Sequence, residues 1–351
     1  NCFSFKENYS ILQANNLNNI MKKLFDLLSV KQNIVITTHV NPDGDAIGSS
    51  LALYNFLIKY DHNVNVIVPN PYPDFLTWMK GNDDVVIYSN EKEKARSLVN
   101  NSSIIFCLDF NNLSRINELG ELINLSKSVK VLIDHHLDPV KFYDIAYHNS
   151  NASATAELIY ELIEIINIDF LDKDIAECLY TGILTDTGSF KFPSTSSKVH
   201  RIVADLIDRG VNSSNVNGLI YDTNSLNRLK LIGFSLSKKL KLIGNNKAAL
   251  IVLTRDDLLK FKFEKGDTEG LVNYALSIMG VNMATLIVET REKIKFSFRS
   301  IGNFSVNDFA KQNFNGGGHK NAAGGSLEDK LSVALEKFLI AISKNEKLLN
   351  Y

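Results

Sequence analysis

Histidines and aspartates form four short clusters in this sequence, and both residue types are metal ligands and acid–base groups. The clusters are His39-Val40-Asn41-Pro42-Asp43-Gly44-Asp45, Asp109, Asp134-His135-His136 and Asp186. Carboxylates held close together do not all stay ionised unless cations neutralise them. Mixed carboxylate and imidazole ligands suit Mn²⁺, Fe²⁺ or Co²⁺, with Mg²⁺ as a harder alternative that prefers oxygen. The ligands are enough for two divalent ions, which a shared aspartate would hold roughly 3.5–4 Å apart, a spacing suited to in-line displacement at phosphorus.

Strand patterns precede three of these clusters. The strands are predicted at Asn33–Thr38, Val64–Val68, Ile104–Leu108 and Val129–Ile133, and the helices at Ala46–Tyr60, Thr155–Ile166 and Lys173–Leu184. Strands that alternate with helices predict an α/β domain, with a parallel sheet covered by helices on both faces. Reactive groups collect at the carboxyl ends of such strands. His39, Asp109 and Asp134 each follow a predicted strand, so we expect them to meet at one edge of the sheet.

The second half of the chain predicts a smaller α/β domain. One long helix at Leu219–Leu242 leads into it. Its predicted elements are strands Ala248–Leu253, Ala284–Thr290 and Lys293–Arg299, helix Asp267–Met279 and a closing helix at Lys330–Leu348, with a glycine-rich stretch at Gly316–Gly325. The predicted organisation is therefore an N-terminal extension (1–20), a first domain (21–215), a helical linker (216–243) and a second domain (244–351).

The charge is unevenly distributed along the chain. Residues 1–227 carry 18 Lys and Arg against 27 Asp and Glu, whereas residues 228–351 carry 20 against 12. An acidic half suits metal ions and a basic half suits phosphates. The net charge of −1 disfavours a long nucleic-acid track, which comes with a larger basic surplus. Three cysteines without a CxxC pattern argue against a thiolate zinc site. The sequence has no bilayer-length apolar stretch and no secretory signal, so we expect a cytoplasmic protein that does not bind membranes.

The four clusters resemble motifs I to IV of the DHH phosphoesterases. The matching stretches read HVNPDGDA, LDF, DHH and GILTDTGSF, and GGGHKNAAGG resembles the GGGH signature of the companion DHHA1 domain. The resemblance runs from about Met21 onward with the motifs in the family's order. The combined architecture resembles the branch of bifunctional oligoribonucleases and 3′-phosphoadenosine-5′-phosphate phosphatases.

The resemblance implies a role for each matching residue. One metal site would use His39, Asp43 and Asp109, and the other would use Asp45, Asp109, His135 and Asp186, with Asp109 shared. His136 would contact the scissile phosphate, and Asp134 would orient a neighbouring histidine. Mn²⁺ is the expected metal, with Mg²⁺, Co²⁺ and Fe²⁺ as alternatives.

A further group of residues is expected to bind the substrate. Its members are Arg299, Ser300, Gly316, Gly317, Gly318 and His319. Successive glycines let backbone N–H groups approach an anion closely, which suits a phosphate. The resemblance implies short single-stranded RNA and small phosphorylated nucleotides as substrates, and a homodimer as the assembly.

Other functions fit parts of the same pattern. A cyclic dinucleotide phosphodiesterase, such as one acting on cyclic di-AMP, resembles both domains, and a nucleotide-binding regulator without turnover is the alternative from another class. A long-strand exonuclease of the RecJ type fits less well, given the chain length and near-neutral charge. An inorganic pyrophosphatase shares the first domain but lacks the GGGH stretch.

Overall fold

The computed structural model describes residues 20–245 and 247–345. Most of the predicted extension at residues 1–20, and the end of the predicted helix Lys330–Leu348, lie outside the described residues. The chain divides into two compact units, Asn1–Thr223 and Asn224–Tyr351, and each has its own six-stranded sheet. Among the helices that the structure describes, none is both long and apolar enough to cross a bilayer.

The sheet of the first unit is parallel throughout. Its strands are β1 (Asn33–Thr37), β2 (Asn63–Val68), β3 (Val86–Ile87), β4 (Ile104–Leu108), β5 (Val129–Asp134) and β6 (Ile145–His148). They lie in the order β3-β2-β1-β4-β5-β6, with every neighbouring pair parallel. The order reverses between β1 and β4, which opens a crevice at the carboxyl ends of these strands. The predicted parallel sheet is confirmed, and β3 and β6 are additional strands.

Helices cover both faces of this sheet, as predicted. They are α1 (20–28), α2 (Gly44–Leu57), α3 (Lys92–Asn101), α4 (Glu118–Leu125), α5 (Thr155–Asn167), α6 (Lys173–Asp186), α7 (Ser197–Asp208) and α8 (Ser213–Tyr221). Successive strand side chains point to opposite faces. Phe106 packs with residues of α2, α5 and α6, whereas its neighbour Cys107 packs with residues of α3 and α4. Both faces of the strands are apolar, so both must be buried under helices.

Helices α2 and α6 approach each other closely because glycines lie at their contact. A Cβ at Gly48 would stand 2.5 Å from the Cys178 carbonyl oxygen. A Cβ at Gly182 would stand 2.6 Å from Ala156 Cβ and 2.8 Å from Asp45 Oδ1. Glycine at both positions therefore brings the start of α2 and the end of α6 to the same edge of the sheet.

The second unit is a smaller α/β fold around a mixed sheet. Its strands are β7 (Leu240–Ile243), β8 (Ala248–Leu253), β9 (Met283–Glu289), β10 (Ile294–Ser300), β11 (Gly317–His319) and β12 (Ala322–Leu327). Its helices are α9 (Leu226–Phe234), α10 (Arg255–Lys260), α11 (Leu271–Leu276), α12 (Val306–Asn313) and α13 (Leu331–Asn345). The strand order is β11-β12-β10-β9-β8-β7, and only β8 and β9 pair in parallel. Phenylalanines of β10, α12 and α13 fill one of its two apolar clusters.

The single helix predicted at Leu219–Leu242 is wrong. The chain leaves α8 at Tyr221, and Ser225 begins α9 by accepting a hydrogen bond from the Arg228 N–H at 3.0 Å. Asp, Thr, Asn and Ser compete for backbone hydrogen bonds, so the run Asp222–Ser225 favours a break and a new N-cap. Beyond α9 the chain forms a π-helical turn and then β7, which pairs with β8. Apolar periodicity alone does not distinguish this strand from a continuing helix.

The helix predicted at Asp267–Met279 is shorter in the structure. Gly270 has a left-handed φ of 77°, and α11 extends only from Leu271 to Leu276. A left-handed residue does not belong to a right-handed helix, so the helix starts after this glycine.

The close approach of α2 and α6 predicts different effects for two Gly→Ala changes. Gly48→Ala places a methyl group against the Cys178 carbonyl oxygen, so we expect the free energy of unfolding to fall by about 1–3 kcal/mol. Gly233→Ala is the matched control, because Gly233 lies in helix α9 with nothing within 4 Å of its added Cβ. This change should stabilise by about 0.4–1 kcal/mol. Urea denaturation of both variants measures the difference, and a neutral Gly48→Ala variant would contradict the close approach.

Candidate metal centre

The first cluster is held by a tight turn between β1 and α2. Asn41 adopts a left-handed φ of 55°, and Asp43 is the N-cap of α2, where its side chain accepts from the Ala46 N–H at 3.1 Å. His39 lies before this turn and is buried, and Asp45 lies in the first turn of α2 and is fully buried. The turn thus directs one imidazole and two carboxylates to the end of β1.

Asp109 lies at the carboxyl end of the central strand β4. Its backbone has a left-handed φ of 64°, and its N–H continues the ladder by donating to the Ile133 carbonyl at 3.1 Å. A left-handed conformation is unfavourable for most side chains and is best tolerated by Asn and Asp. This conformation turns the carboxylate of Asp109 toward the crevice between β1 and β4, and the side chain is buried.

Two groups of ligand atoms meet at Asp109. His39 Nε2 lies 3.3 Å from Asp109 Oδ2 and 3.8 Å from Asp43 Oδ1. On the other side, His135 Nε2 lies 3.4 Å from Asp109 Oδ1 and 3.8 Å from Asp45 Oδ2. Asp186, at the end of α6, places Oδ2 3.2 Å from His135 Nε2. The structure therefore brings together all six residues that the sequence suggested as metal ligands, with one Asp109 oxygen facing each group.

The hydrogen bonds of the two histidines fit a cation in each group. His39 Nδ1 lies 3.0 Å from the Val40 carbonyl oxygen, and His135 Nδ1 lies 3.2 Å from the Ala152 carbonyl oxygen. A carbonyl only accepts, so Nδ1 carries the proton and a neutral ring aims its Nε2 lone pair at carboxylate oxygens. Two lone pairs at that distance repel unless a proton or a metal ion lies between them. The donor set therefore fits a divalent cation bound through Nε2 and carboxylate oxygens.

Without a cation, the carboxylates of this site oppose one another's ionisation. Burial, followed by the charges of Asp109 and Asp186, raises the pKa of Asp45 well above its ordinary value. Burial also raises the pKa of Asp186, with added repulsion from Asp43 and Asp109, to about 7. For His39, burial lowers the pKa, but the hydrogen bond to Asp109 and the charge of Asp43 outweigh it and raise the pKa to about 9. The site takes up protons where a metal ion would supply the positive charge.

Asp134 and His136 form a separate pair beside these ligands. Asp134 is the last residue of β5, and its Oδ1 lies 2.8 Å from His136 Nδ1 and accepts from the His136 N–H at 3.2 Å. The same Nδ1 lies 3.6 Å from Asp109 Oδ1. The carboxylate fixes the ring orientation, which turns the Nε2 edge of His136 away from Asp134.

Comparison with known proteins identifies the family of this chain. The model of the DHH family N-terminal domain matches residues 33–183, and that of the DHHA1 domain matches residues 245–345. The bifunctional oligoribonuclease and PAP phosphatase NrnA of Bacillus subtilis is 31% identical over 308 residues, covering 87% of this chain and 92% of that protein. The chain belongs to the DHH family. It is a hydrolase that acts on phosphoester bonds.

Two further similar proteins match nearly the whole length of this chain. The NrnA protein of Thermus thermophilus is 30% identical over 320 residues, covering 90% of this chain and 91% of that protein. The crystal structure of an exopolyphosphatase-related protein from Bacteroides fragilis is 40% identical, with a TM-score of 0.91. It covers 95% of this chain and 98% of that one, so the likeness includes both the DHH and the DHHA1 units.

In the DHHA1 unit, two of the expected substrate-binding residues lie on one face of the sheet. Arg299 of β10 pairs with Ala322 of β12, which in turn pairs with His319 of β11. Directly paired residues point to the same face, and strands lie about 4.8 Å apart, so Arg299 and His319 flank the small Ala322 at about 10 Å. A cation and an imidazole on either side of an alanine leave room for an anionic group.

Ser300, Gly316 and Gly318 make close contacts within this unit. Ser300 is buried, and its hydroxyl donates to the Phe304 carbonyl at 2.7 Å and accepts from Asn321 Nδ2 at 2.8 Å. The Gly318 N–H donates to Asn307 Oδ1 at 2.9 Å. A Cβ at Gly316 would stand 2.0 Å from the Gly324 carbonyl oxygen. The glycine run thus forms the β11–β12 hairpin, and the Ser300 hydroxyl does not join Arg299 and His319.

Sequence reasoning missed Ala152 and Thr155, which contact the expected metal ligands near the start of α5. The Ala152 carbonyl fixes His135, and Thr155 donates to Asp45 and Asp109. A weak signal exists in the sequence, because Ser153, Thr155 and Glu157 precede an apolar helical run. That signal predicts a helix start and gives no indication that the helix contacts Asp45 and Asp109.

The raised pKa of Asp186 predicts a stability difference in metal-free protein. As pH rises from about 5 to about 8, the unfolded Asp186 is already ionised, whereas the folded carboxyl must lose its proton against burial and repulsion. The free energy of unfolding of wild type therefore decreases as the pH rises over that range. Asp186→Asn has no carboxyl at this position and lacks this decrease. In EDTA we expect the melting temperature of Asp186→Asn to exceed that of wild type by an amount that increases with pH.

Added Mn²⁺ should reverse the sign of this difference. Mn²⁺ that binds the folded state raises the melting temperature more when it binds more tightly, and Asp186→Asn lacks one of the expected metal ligands. Thermal scans across pH, with EDTA and with Mn²⁺, measure both effects. A pH-independent difference in EDTA would show that the Asp186 carboxyl is not electrostatically perturbed.

Proposed function

We propose that the chain is a two-metal phosphoesterase that hydrolyses short oligoribonucleotides to mononucleotides and 3′-phosphoadenosine-5′-phosphate to AMP. The observation that carries the proposal is the shared carboxylate of Asp109, whose two oxygens face two separate imidazole–carboxylate groups. The NrnA relatives, whose names give both activities, support the choice of substrates. The resemblance implies oligonucleotides of about two to five nucleotides.

Two ions would be held by side chains of the first unit alone. One would lie among His39, Asp43 and Asp109, and the other among Asp45, Asp109, His135 and Asp186. Mn²⁺ suits this mixture of imidazole and carboxylate ligands best, and Mg²⁺, Co²⁺ and Fe²⁺ are alternatives. When bound, such ions supply Lewis-acid stabilisation to the phosphoryl oxygens and activate water.

His136 and Asp134 would complete the catalytic group. Asp134 holds the Nδ1 side of the His136 ring, so the Nε2 side would face the phosphoryl group. A donor preorganised in this way stabilises charge that develops in the transition state without reorganising during the reaction. Asp134 acts through His136 and does not itself contact the substrate.

The DHHA1 unit would contribute binding of the nucleotide. Arg299 and His319 share one face of its sheet, and both side chains suit phosphate. The surplus of basic over acidic residues in this half of the chain, 20 against 12, adds favourable electrostatics for an anionic substrate. Gly316 and Gly317 would act through the backbone, whereas the Gly318 N–H and the Ser300 hydroxyl have internal partners. A homodimer and a cytoplasmic location stay predictions.

The first test compares four substrates in parallel with Mn²⁺. Hydrolysis of pApA, 3′-phosphoadenosine-5′-phosphate, cyclic di-AMP and a long single-stranded RNA should show fast release of AMP from the first two. A preference for cyclic di-AMP would keep the metal chemistry and replace the substrate. No hydrolysis by protein that binds Mn²⁺ would favour a nucleotide-binding regulator.

Asp109→Asn is the variant that tests the shared carboxylate. Asn tolerates the left-handed φ of 64°, so the backbone is preserved while one oxygen and the charge are lost. We expect kcat to fall by more than the roughly 10–100-fold that loss of an outer ligand contact causes. Asp61→Asn is the matched control, because Asp61 also has a left-handed φ, of 61°, and is exposed. Equal activity of both variants would rule out a bridging role for Asp109.

Arg299→Lys separates substrate binding from metal binding. Lysine keeps the charge but loses the planar fork that contacts phosphate at two points. We expect KM for 3′-phosphoadenosine-5′-phosphate to rise roughly 10-fold, consistent with one charged hydrogen bond, with unchanged Mn²⁺ affinity. Steady-state kinetics and Mn²⁺ titration measure the two quantities. A weaker Mn²⁺ affinity with an unchanged KM would contradict this assignment.

A further inference from the structure

The start of helix α5 contacts the metal centre from outside the four sequence clusters. The Thr155 hydroxyl donates to Asp109 Oδ1 at 2.9 Å, and the Thr155 N–H donates to Asp45 Oδ2 at 2.5 Å. The Ala156 N–H donates to the other oxygen of Asp45 at 2.8 Å. Thr155, Asp45 and Asp109 are all buried, so these hydrogen bonds do not compete with bulk water.

Asp45 takes the place of an N-cap residue for α5. The residue at the N-cap is Ala154, which has no side-chain acceptor. The first N–H groups of a helix have no partner within the helix, and a carboxylate there is further stabilised by the helix dipole. Asp45 supplies the acceptor from 110 residues away in sequence, so the position of this carboxylate and the start of α5 are fixed together.

The Thr155 hydroxyl acts on the shared carboxylate in a different way. A carboxylate that serves two metal sites must present one oxygen to each, and the final torsion of an aspartate is broad. Asp109 Oδ2 faces His39 and Oδ1 faces His135. The hydroxyl donates to Oδ1 only, which selects the rotation of the carboxylate that serves both groups.

The turn before Thr155 has its own buried hydrogen bonds. Glu157 accepts hydrogen bonds from the Ser153 N–H at 2.7 Å and from the Ser153 hydroxyl at 2.9 Å. Lys198 lies 3.2 Å from the Glu157 carboxylate. Glu157 is buried, and its hydrogen bonds to Ser153 close the turn that leads into α5.

We propose that Thr155 is a positioning residue for the metal centre, whose hydroxyl sets the orientation of Asp109 for two-ion binding. The inference rests on the proposed function and deepens it. Loss of an outer partner of a metal ligand typically weakens metal affinity by about 10–100-fold. Thr155→Val removes the hydroxyl and keeps the shape and the backbone N–H, so Asp45 retains its hydrogen bonds.

The test compares Mn²⁺ affinity across matched variants. Free Mn²⁺ measured by electron paramagnetic resonance should give a dissociation constant about 10–100-fold higher for Thr155→Val, and one close to wild type for Thr155→Ser. Thr285→Val is the control for deleting a buried threonine hydroxyl, since Thr285 Oγ1 has no hydrogen-bond partner within the described part of the chain. Its Mn²⁺ affinity should equal that of wild type. Melting temperatures in EDTA establish that each variant is folded, and Thr155→Ala replaces Thr155→Val should the latter not fold.

The outcomes separate this inference from the proposed function. Wild-type Mn²⁺ affinity in the variant without the hydroxyl would overturn the role of Thr155 and leave the metal site intact. Equal weakening in Thr155→Ser, which keeps the hydroxyl, and in Thr155→Val, which lacks it, would overturn it too, because the loss of affinity would then not depend on the hydroxyl. A wild-type protein that binds no Mn²⁺ would overturn both proposals together.

Discussion

The arrangement of the first unit depends on one electrostatic constraint, the crowding of buried carboxylates around Asp109. Asp109 and Asp45 are excluded from water, and the two flanking imidazoles aim Nε2 at carboxylate oxygens. Such a group is unfavourable without positive charge, and the raised pKa of Asp45 expresses that cost in protons. A fold that preserves this arrangement must supply rigid support from several elements and an opening for a cation.

The sheet supplies the support through its topology. The strand order reverses between β1 and β4, so the residues that follow these strands face a crevice that no crossing helix fills. His39 and Asp109 come from the two sides of this crevice, and Asp186 comes from α6. Glycines at the contact of α2 with α6 let α6 approach α2 closely, because any side chain at Gly182 would clash with Asp45. The glycines that allow the two helices to pack closely therefore also bring the expected metal ligands Asp45 and Asp186 together.

The sequence predicted most strands and the convergence of the histidine and aspartate clusters, but it did not predict the short strands or the contacts that support the clusters. Strands such as Ile104–Leu108 were identifiable because both faces are buried and the run is apolar, and the ligand clusters were identifiable because each is contiguous. The short strand Val86–Ile87 and the hairpin built from Gly316–Gly325 were missed, since two residues or a glycine run carry little strand signal. The contact between Thr155 and Asp109 joins residues that are 46 positions apart, so the local sequence pattern around either residue does not indicate it.

The start of helix α5 connects the expected metal site to the fold through Asp45. Asp45 is at once an expected ligand and the acceptor that the first N–H groups of α5 require, in place of the absent side-chain cap at Ala154. A substitution of Asp45 would therefore leave buried donors unpaired as well as removing a ligand, and its effect on stability would obscure its effect on metal binding. Thr155 lacks this double role in its side chain, because its helix contact is made by the backbone. Removing the Thr155 hydroxyl therefore alters the hydrogen bond to Asp109 and leaves the hydrogen bonds at the start of the helix in place.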